Sequence, residues 1–365
     1  MRMGGDGHQL TSVSHAKRVL VKEVNWLGDL VLSLPALRVL REAFPTATLS
    51  VSVREGLVGF FDGMEWVDEV ISYRMRSGVG SWFDQRKIIA AIRSRRFDLA
   101  VILPNSFRSA LWLALAGVPR RAGYATNGRR FLLTESARPK VCAMQSHQSF
   151  YWLGMLADTL GISAAGALSA FHPLEISQRS VTRAREWLVA HRKHQNVPLI
   201  AVSPAAAYGP AKEWPSTHYA ELIELLHENA GAECILVGTA AERSRCEQIA
   251  VMSRTGAIVA AGDTCIAELK AMLSLCDGFV GNDSGVMHLA AALGIPTIGI
   301  FGSTDPDRTG PAGPKAAVIY HRIRCSPCLQ RTCRFGHYQC LSEVQPAEVA
   351  AELSRVRAFS SPLSS

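Results

Sequence analysis

The sequence predicts an α/β protein made of two doubly wound domains facing across a cleft. Three observations carry that prediction. Short apolar runs with the character of buried strands alternate with amphipathic segments, the pattern of a parallel sheet covered on both faces. The alternation breaks at a charged, helix-rich stretch around residues 178–194 and then restarts. At 365 residues the chain is long enough for two cores of ordinary size.

In the first half, residues 18–24 (RVLVKEV) read as a buried strand, and 29–43 have helical spacing that stops at Pro45. Further strands are predicted over 49–53, 67–73 and 99–103, with helices over 82–95 and 106–116. In the second half, strands are predicted over 199–203, 234–237, 257–260, 278–280 and 297–301. Helices over 216–229, 241–253, 265–275 and 284–293 separate them, and a last helix covers 346–357. The polar, Gly-rich residues 1–17 are expected to form a flexible leader and the Ser-rich 358–365 a disordered tail. The domains then run from 18 to 194 and from 195 to 357.

Hydrophobic residues make up 48% of the chain and charged residues 19%, the balance of a soluble globular protein. No apolar run reaches the roughly 18 residues that a membrane span needs, and the N-terminal segment lacks a signal-peptide core. A cytoplasmic protein is the expectation. The net charge of +8 suits a phosphorylated substrate, anionic lipid or nucleic acid. Arginines crowd the first half (Arg86, Arg93, Arg95, Arg96, Arg108, Arg120, Arg121, Arg129, Arg130) without any nucleic-acid-binding signature, so nucleic acid is set aside.

Of the nine cysteines, five lie in apolar segments and read as reduced core residues. The other four, Cys325, Cys328, Cys333 and Cys340, fall together with His337 between the last two. That spacing fits a structural zinc site, a loop of free thiols or an air-formed disulfide. Its place after the last predicted strand makes it a structural clip and not a catalytic centre.

Four strand-to-helix turns carry the candidate chemistry. The run Val280–Ala292 passes from an apolar strand through Asp283, Ser284 and Gly285 into an Ala-rich helix with His288 in its first turns. It puts a helix N-terminus, with unpaired N–H groups and partial positive charge, at the carboxyl edge of a sheet, a good phosphate site. An ordinary N-cap role for Asp283 and Ser284 is the alternative. The turn Asn25-Trp26-Leu27-Gly28-Asp29 offers a small residue for close backbone approach, and a carboxylate suited to a general base or a helix cap. The loop Ser203–Pro215 holds small residues, Ala206 among them, with Tyr208 and Lys212, whose ammonium can neutralise phosphate or simply be solvated. Glu242 follows the Val237-Gly238 turn, where it can reach a ribose hydroxyl or serve the helix dipole. There is no GxGxxG, Walker A or GxSxG sequence.

Taken together, NWLGDLVLSLPALRVLREAFP, LPNSFRSALWLALAGVPRRAGY, YGPAKEWPSTHYAEL and GNDSGVMHLAAALGIPTIGIFGSTDP resemble the ADP-heptose:lipopolysaccharide heptosyltransferases, glycosyltransferase family 9. The resemblance runs from about residue 18 to 350, and LPNSF and GPAKxWP are more similar to the type II than to the type I enzymes. It implies a GT-B fold of two Rossmann-like domains, an N-terminal acceptor domain and a C-terminal nucleotide-sugar domain. It implies inverting, metal-independent transfer of L-glycero-D-manno-heptose from ADP-heptose to the heptosyl-Kdo2-lipid A inner core, at the cytoplasmic face of the inner membrane with peripheral membrane contact.

By resemblance Asp29 is the general base and Lys212 binds the departing diphosphate. Ala206, Tyr208, Glu242, Asp283, Ser284, Gly285 and His288 complete the donor site. Asn25, Gly28, Arg108, Arg120 and Arg121 are the expected acceptor contacts, their alternative a solvated basic surface. Type II enzymes usually show Pro-Gly-Ala where this chain has Pro204-Ala205-Ala206, and often an acidic residue in the place of Ala207. The alternatives are a type I enzyme, another transferase or epimerase of the same fold, and a non-catalytic nucleotide-sugar-binding module.

Overall fold

The computed structural model describes residues 16–76, 80–163 and 171–358. The expected leader and tail lie outside them, apart from residues 16, 17 and 358. The chain divides between Ala170 and Phe171 into two compact units. That is earlier than the boundary expected at 194/195. The helix Gln178–His191 packs on the helix Ile266–Ser274, where Arg183 pairs with Glu268 at 3.0 Å, so the stretch from 171 onward belongs with the second sheet.

The first unit holds β1 (Arg18–Lys22), β2 (Thr48–Arg54), β3 (Glu69–Tyr73), β4 (Leu99–Ile102), β5 (Arg120–Tyr124) and β6 (Glu135–Ala137). They form one parallel sheet in the order β3-β2-β1-β4-β5-β6. The second holds β7 (Leu199–Ser203), β8 (Glu233–Leu236), β9 (Ile258–Val259), β10 (Gly278–Asn282), β11 (Thr297–Phe301) and β12 (Ala316–Tyr320). Its order, β12-β11-β10-β7-β8-β9, is the same doubly wound topology, again all parallel. The winding reverses between β1 and β4 and between β7 and β10. Loops leaving the carboxyl ends of such a strand pair splay apart and leave a crevice.

The central strands are buried on both faces, as their unbroken apolar sequences require: Val19, Leu20 and Val21 of β1 and Leu199 to Val202 of β7 have no exposure. Three strands go beyond the sequence prediction. In β5 (RRAGY) charge masks the strand, because Arg120 is neutralised by a two-pronged contact to Glu135 of β6. The strand β6 is only three residues long, and β12 is a half-buried edge. The helix Gln148–Leu160, closed by Gly161 in the left-handed conformation (φ 66°), packs on the helix Leu27–Ala43 and was also not predicted.

Trp214 anchors the second core. It is fully buried, donates its indole N–H to the Val344 carbonyl at 3.0 Å and meets the Tyr219 ring edge-on at 4.8 Å. Trp214→Ala opens a cavity and orphans that carbonyl, so denaturant unfolding should report a loss of about 3–5 kcal/mol.

Candidate active site

In the second unit, the loops after β7 and β10 converge at the winding reversal. Asn282, the last residue of β10, is fully buried and ties them together. Its Oδ1 accepts from the Trp214 backbone N–H and the Tyr219 hydroxyl, both at 2.9 Å, and its Nδ2 donates to the Pro204 carbonyl at 2.9 Å. Burial pushes the Tyr219 phenol pKa far up, which keeps its donor proton in place. Glu213 adds a second tie, accepting from the Ala206 N–H at 3.3 Å and from Arg245 at 2.6 Å.

These ties deliver Lys212 to Asp283. The ammonium contacts Asp283 Oδ2, and the Thr304 hydroxyl donates to the same oxygen at 2.6 Å. Asp283 is buried and Lys212 nearly so. An ion pair so desolvated is poor evidence of stabilisation, because the desolvation cost rivals the Coulombic gain. It is better understood as a preset cation. The Tyr208 ring lies 5.0 Å from Lys212 Nζ, with Arg331 at 5.2 Å from the same ring.

Ser284 is the N-cap of the helix Gly285–Ala292, its hydroxyl accepting from the Met287 N–H at 3.5 Å. Asp283 therefore does not cap; its carboxylate turns to Lys212. Gly285 opens the helix, and His288 is buried with Nε2 3.9 Å from Asp283 Oδ1. Glu242 stands apart from this cluster in a capping box, its Oε2 accepting from the Thr239 N–H at 2.7 Å.

The cysteine-rich segment braces the Lys212 loop. The Ala211 N–H donates to the Arg331 carbonyl at 3.0 Å, and the Tyr208 hydroxyl to the Leu329 carbonyl at 2.8 Å. The approach at Gly209 (φ 143°) is so close that a Cβ there would lie 2.6 Å from the Arg331 oxygen. All nine cysteines are free thiols. Among the described residues no group of three or more His, Cys, Asp or Glu is arranged to hold a metal ion, so the zinc site that the spacing allowed finds no support. Cys325 Sγ lies 4.0 Å from His337 Nε2, and Cys333 is turned toward backbone N–H groups of residues 335–338, which lower its thiol pKa. Backbone hydrogen bonds do the clipping.

In the first unit, Asp29 is the third residue of the helix Leu27–Ala43 and half-buried. Gly28 lies inside the first helical turn and not in a left-handed turn. Asn25 Oδ1 accepts from the Tyr73 hydroxyl at 2.6 Å. The arginines split into two groups. Arg120 is taken up by Glu135, Arg121 by the Leu132 and Val118 carbonyls, and the fully buried Arg129 by the Tyr124 and Pro104 carbonyls. Arg108 and Arg130 are exposed. A cavity of about 370 Å³ beside β3 is lined by Arg74, Arg76 and Lys87, with Asp84 gripped by Arg76 through contacts of 2.8 and 3.1 Å.

Sequence reasoning passed over Asn282, Glu213, Thr304 and Arg331. The polar residues adjoining Lys212 and Asp283 were the available signal for the first two; nothing local marks Thr304 or Arg331. It also passed over Arg74 and Arg76, which sit in an unremarkable charged loop.

Residues 85–339 match the profile of glycosyltransferase family 9 (heptosyltransferase). Lipopolysaccharide heptosyltransferase 2 of Salmonella typhimurium is 32% identical over 347 residues, covering 92% of this chain and 97% of the relative. Lipopolysaccharide heptosyltransferase 2 of Escherichia coli K12 is 30% identical with the same coverage. The solved structure of the E. coli ADP-heptose LPS heptosyltransferase II matches with a TM-score of 0.80 at 27% identity, over 94% of this chain and 99% of that one. With two doubly wound parallel sheets, that likeness makes the fold GT-B. The chain belongs to glycosyltransferase family 9, the heptosyltransferase family.

Proposed function

We propose that the chain is a heptosyltransferase II: it transfers L-glycero-D-manno-heptose from ADP-heptose to the heptosyl-Kdo2-lipid A inner core, with inversion, in lipopolysaccharide core biosynthesis. The observation that carries this reading is the Lys212–Asp283–Thr304 cluster beside the Ser284-capped helix start, a preset cation and N–H groups where a diphosphate would lie. The relatives named above have full-length similarity and the corresponding activity in their names.

In the reaction, the acceptor oxygen bonds to the anomeric carbon as the bond from that carbon to the β-phosphate oxygen breaks. The electron pair of the broken bond goes to that phosphate oxygen. Lys212 and the helix N-terminus stabilise the charge, as fixed donors do most effectively in a desolvated site, so the step needs no divalent ion. Asp29 takes the acceptor's proton. Ala206, Tyr208, Gly285 and His288 shape the donor pocket, and Glu242 would leave its capping box to meet the ribose. The exposed Arg108 and Arg130 are better placed for an anionic acceptor than Arg120 and Arg121, whose donors are already engaged, or than Arg74 and Arg76, which pair with Glu55 and Asp84.

The test is ADP release from ADP-heptose with EDTA present. Release that requires heptosyl-Kdo2-lipid A supports the proposal. Release without acceptor points to a hydrolase or epimerase, and donor binding without release to a non-catalytic module.

We place the enzyme peripherally on the cytoplasmic face of the inner membrane. Among the described residues no helix is long and apolar enough to cross a membrane. Phe107 and Phe131 are exposed with ring centroids 5.9 Å apart beside Arg108 and Arg130, and exposed Trp82 and Phe83 carry Arg86 over the Trp82 ring. Aromatics interleaved with arginines suit an anionic bilayer surface. The double variant Phe107→Ser/Phe131→Ser should bind phosphatidylglycerol vesicles roughly tenfold more weakly at unchanged melting temperature. Equal binding by both proteins would remove this face from membrane contact.

A further inference from the structure

Two consecutive ionisable residues, Lys22 and Glu23, lie fully buried at the end of β1, and the mechanism above uses neither. Each feels the other's charge, while their hydrogen bonds go to different partners. Lys22 Nζ donates to the Glu23 backbone carbonyl at 2.6 Å and to the Tyr73 hydroxyl at 2.9 Å. Tyr73 in turn donates to Asn25 Oδ1 at 2.6 Å. Lys22 thus supports the loop that leads to Asp29. The Glu23 carboxyl points toward the helix Leu27–Ala43, where its Oε2 accepts from Ser33 Oγ and the Val24 N–H, both at 3.1 Å. Its Oε1 is buried without a hydrogen-bond partner.

Ser33 lies four residues after Asp29 on that helix, and such positions are neighbours, about 5–6 Å apart at Cβ. The Glu23 carboxyl, bonded to Ser33, is therefore near enough to Asp29 for each to feel the other's charge. The other titratable groups around the buried pair are Arg54 from β2 and Tyr73 from β3. A Gln would make the same two hydrogen bonds, so what a Glu adds here is its charge, which acts on the buried Lys22 and on Asp29.

We propose that Glu23 is a positioning residue for Asp29: a protonated neighbour that, on ionising, makes Asp29 a stronger base toward the acceptor hydroxyl. The inference rests on the reading of Asp29 as base. In the reaction step the proton passes from the acceptor oxygen to Asp29 and on to solvent, and Glu23 takes no part in that transfer. Two carboxyls in one site resist double ionisation, and each charge raises the other's proton affinity. Burial raises the Glu23 pKa from 4.5 to about 7 against the Val24 and Ser33 hydrogen bonds and the Lys22 charge, and Asp29 adds a smaller push upward.

The experiment compares the pH profiles of kcat/KM for the full-length protein and for Glu23→Gln, which mimics the protonated carboxyl. Below about pH 6 the two should agree within about twofold. Through pH 7 the ratio of wild type to variant should climb to roughly 3- to 10-fold, carried by kcat with both KM values unchanged. A ratio constant across pH, or equal to one throughout, overturns the proposal.

A second measurement guards against a misfolded variant. A carboxyl whose folded pKa is raised stabilises the fold fully below about pH 4.5, and that stabilisation is lost as pH rises through about 7. Wild-type unfolding should therefore lose stability over that window, and a flat profile would contradict a proton held on Glu23. Asp29→Asn in the same assay separates the two readings. If Asp29→Asn is inactive while the Glu23 ratio stays flat, only this inference fails; if Asp29→Asn is active, the base assignment itself fails.

Discussion

Asp29→Asn is expected to lower kcat by about 100-fold or more, the usual scale for removing a general base. The substitution keeps size and polarity, and the position is a half-buried third residue of a helix whose cap makes no side-chain hydrogen bond. Removing its carboxylate takes a favourable charge from the first turn, worth about 0.3–1 kcal/mol, so the protein should melt within a few degrees of wild type. ADP-heptose affinity should be unchanged, because the donor groups identified here, Lys212 and Asp283, belong to the other unit. Steady-state kinetics beside calorimetric donor binding checks both halves. Activity within a few fold of wild type would remove Asp29 from the mechanism.

Lys212→Ala should cost about 100- to 1000-fold in kcat/KM, the range seen when one fixed donor to a developing oxyanion is deleted. Two effects add. The leaving diphosphate loses its cation, and the Asp283 carboxylate, buried with only Thr304 left at Oδ2, repels the incoming phosphates. Thr304→Val tests that division of labour: it removes a neutral donor and leaves the cation, so the loss should stay within about tenfold. Comparable losses in the two variants would mean that the cluster acts by holding the loops and not by charge.

Most of the architecture was legible because the strands inside each sheet are predominantly apolar and their helices are amphipathic. What escaped was structure whose logic is non-local. The strand β5 reads as a basic surface until Glu135 is seen to neutralise Arg120. The domain boundary moves because a charged helix finds its apolar partner only later in the chain. The turns bearing Asp29 in one unit and Lys212 and Asp283 in the other could be read from their order of strand, polar turn and helix. Their contacts could not: Thr304 reaches Asp283 from 21 residues away, and Arg331 supports the Tyr208–Lys212 loop from the cysteine-rich segment. That segment's cysteine spacing suggested a metal, whereas its backbone carbonyls make the contacts that matter.

The most direct test of the account is acceptor discrimination: turnover of ADP-L-glycero-D-manno-heptose on heptosylated and on bare Kdo2-lipid A, followed by the mass of the lipid product. The account predicts addition of one heptose to the heptosylated acceptor alone. Addition to the bare Kdo acceptor would instead make the chain a type I enzyme, and no addition to either would contradict the assignment of its substrate.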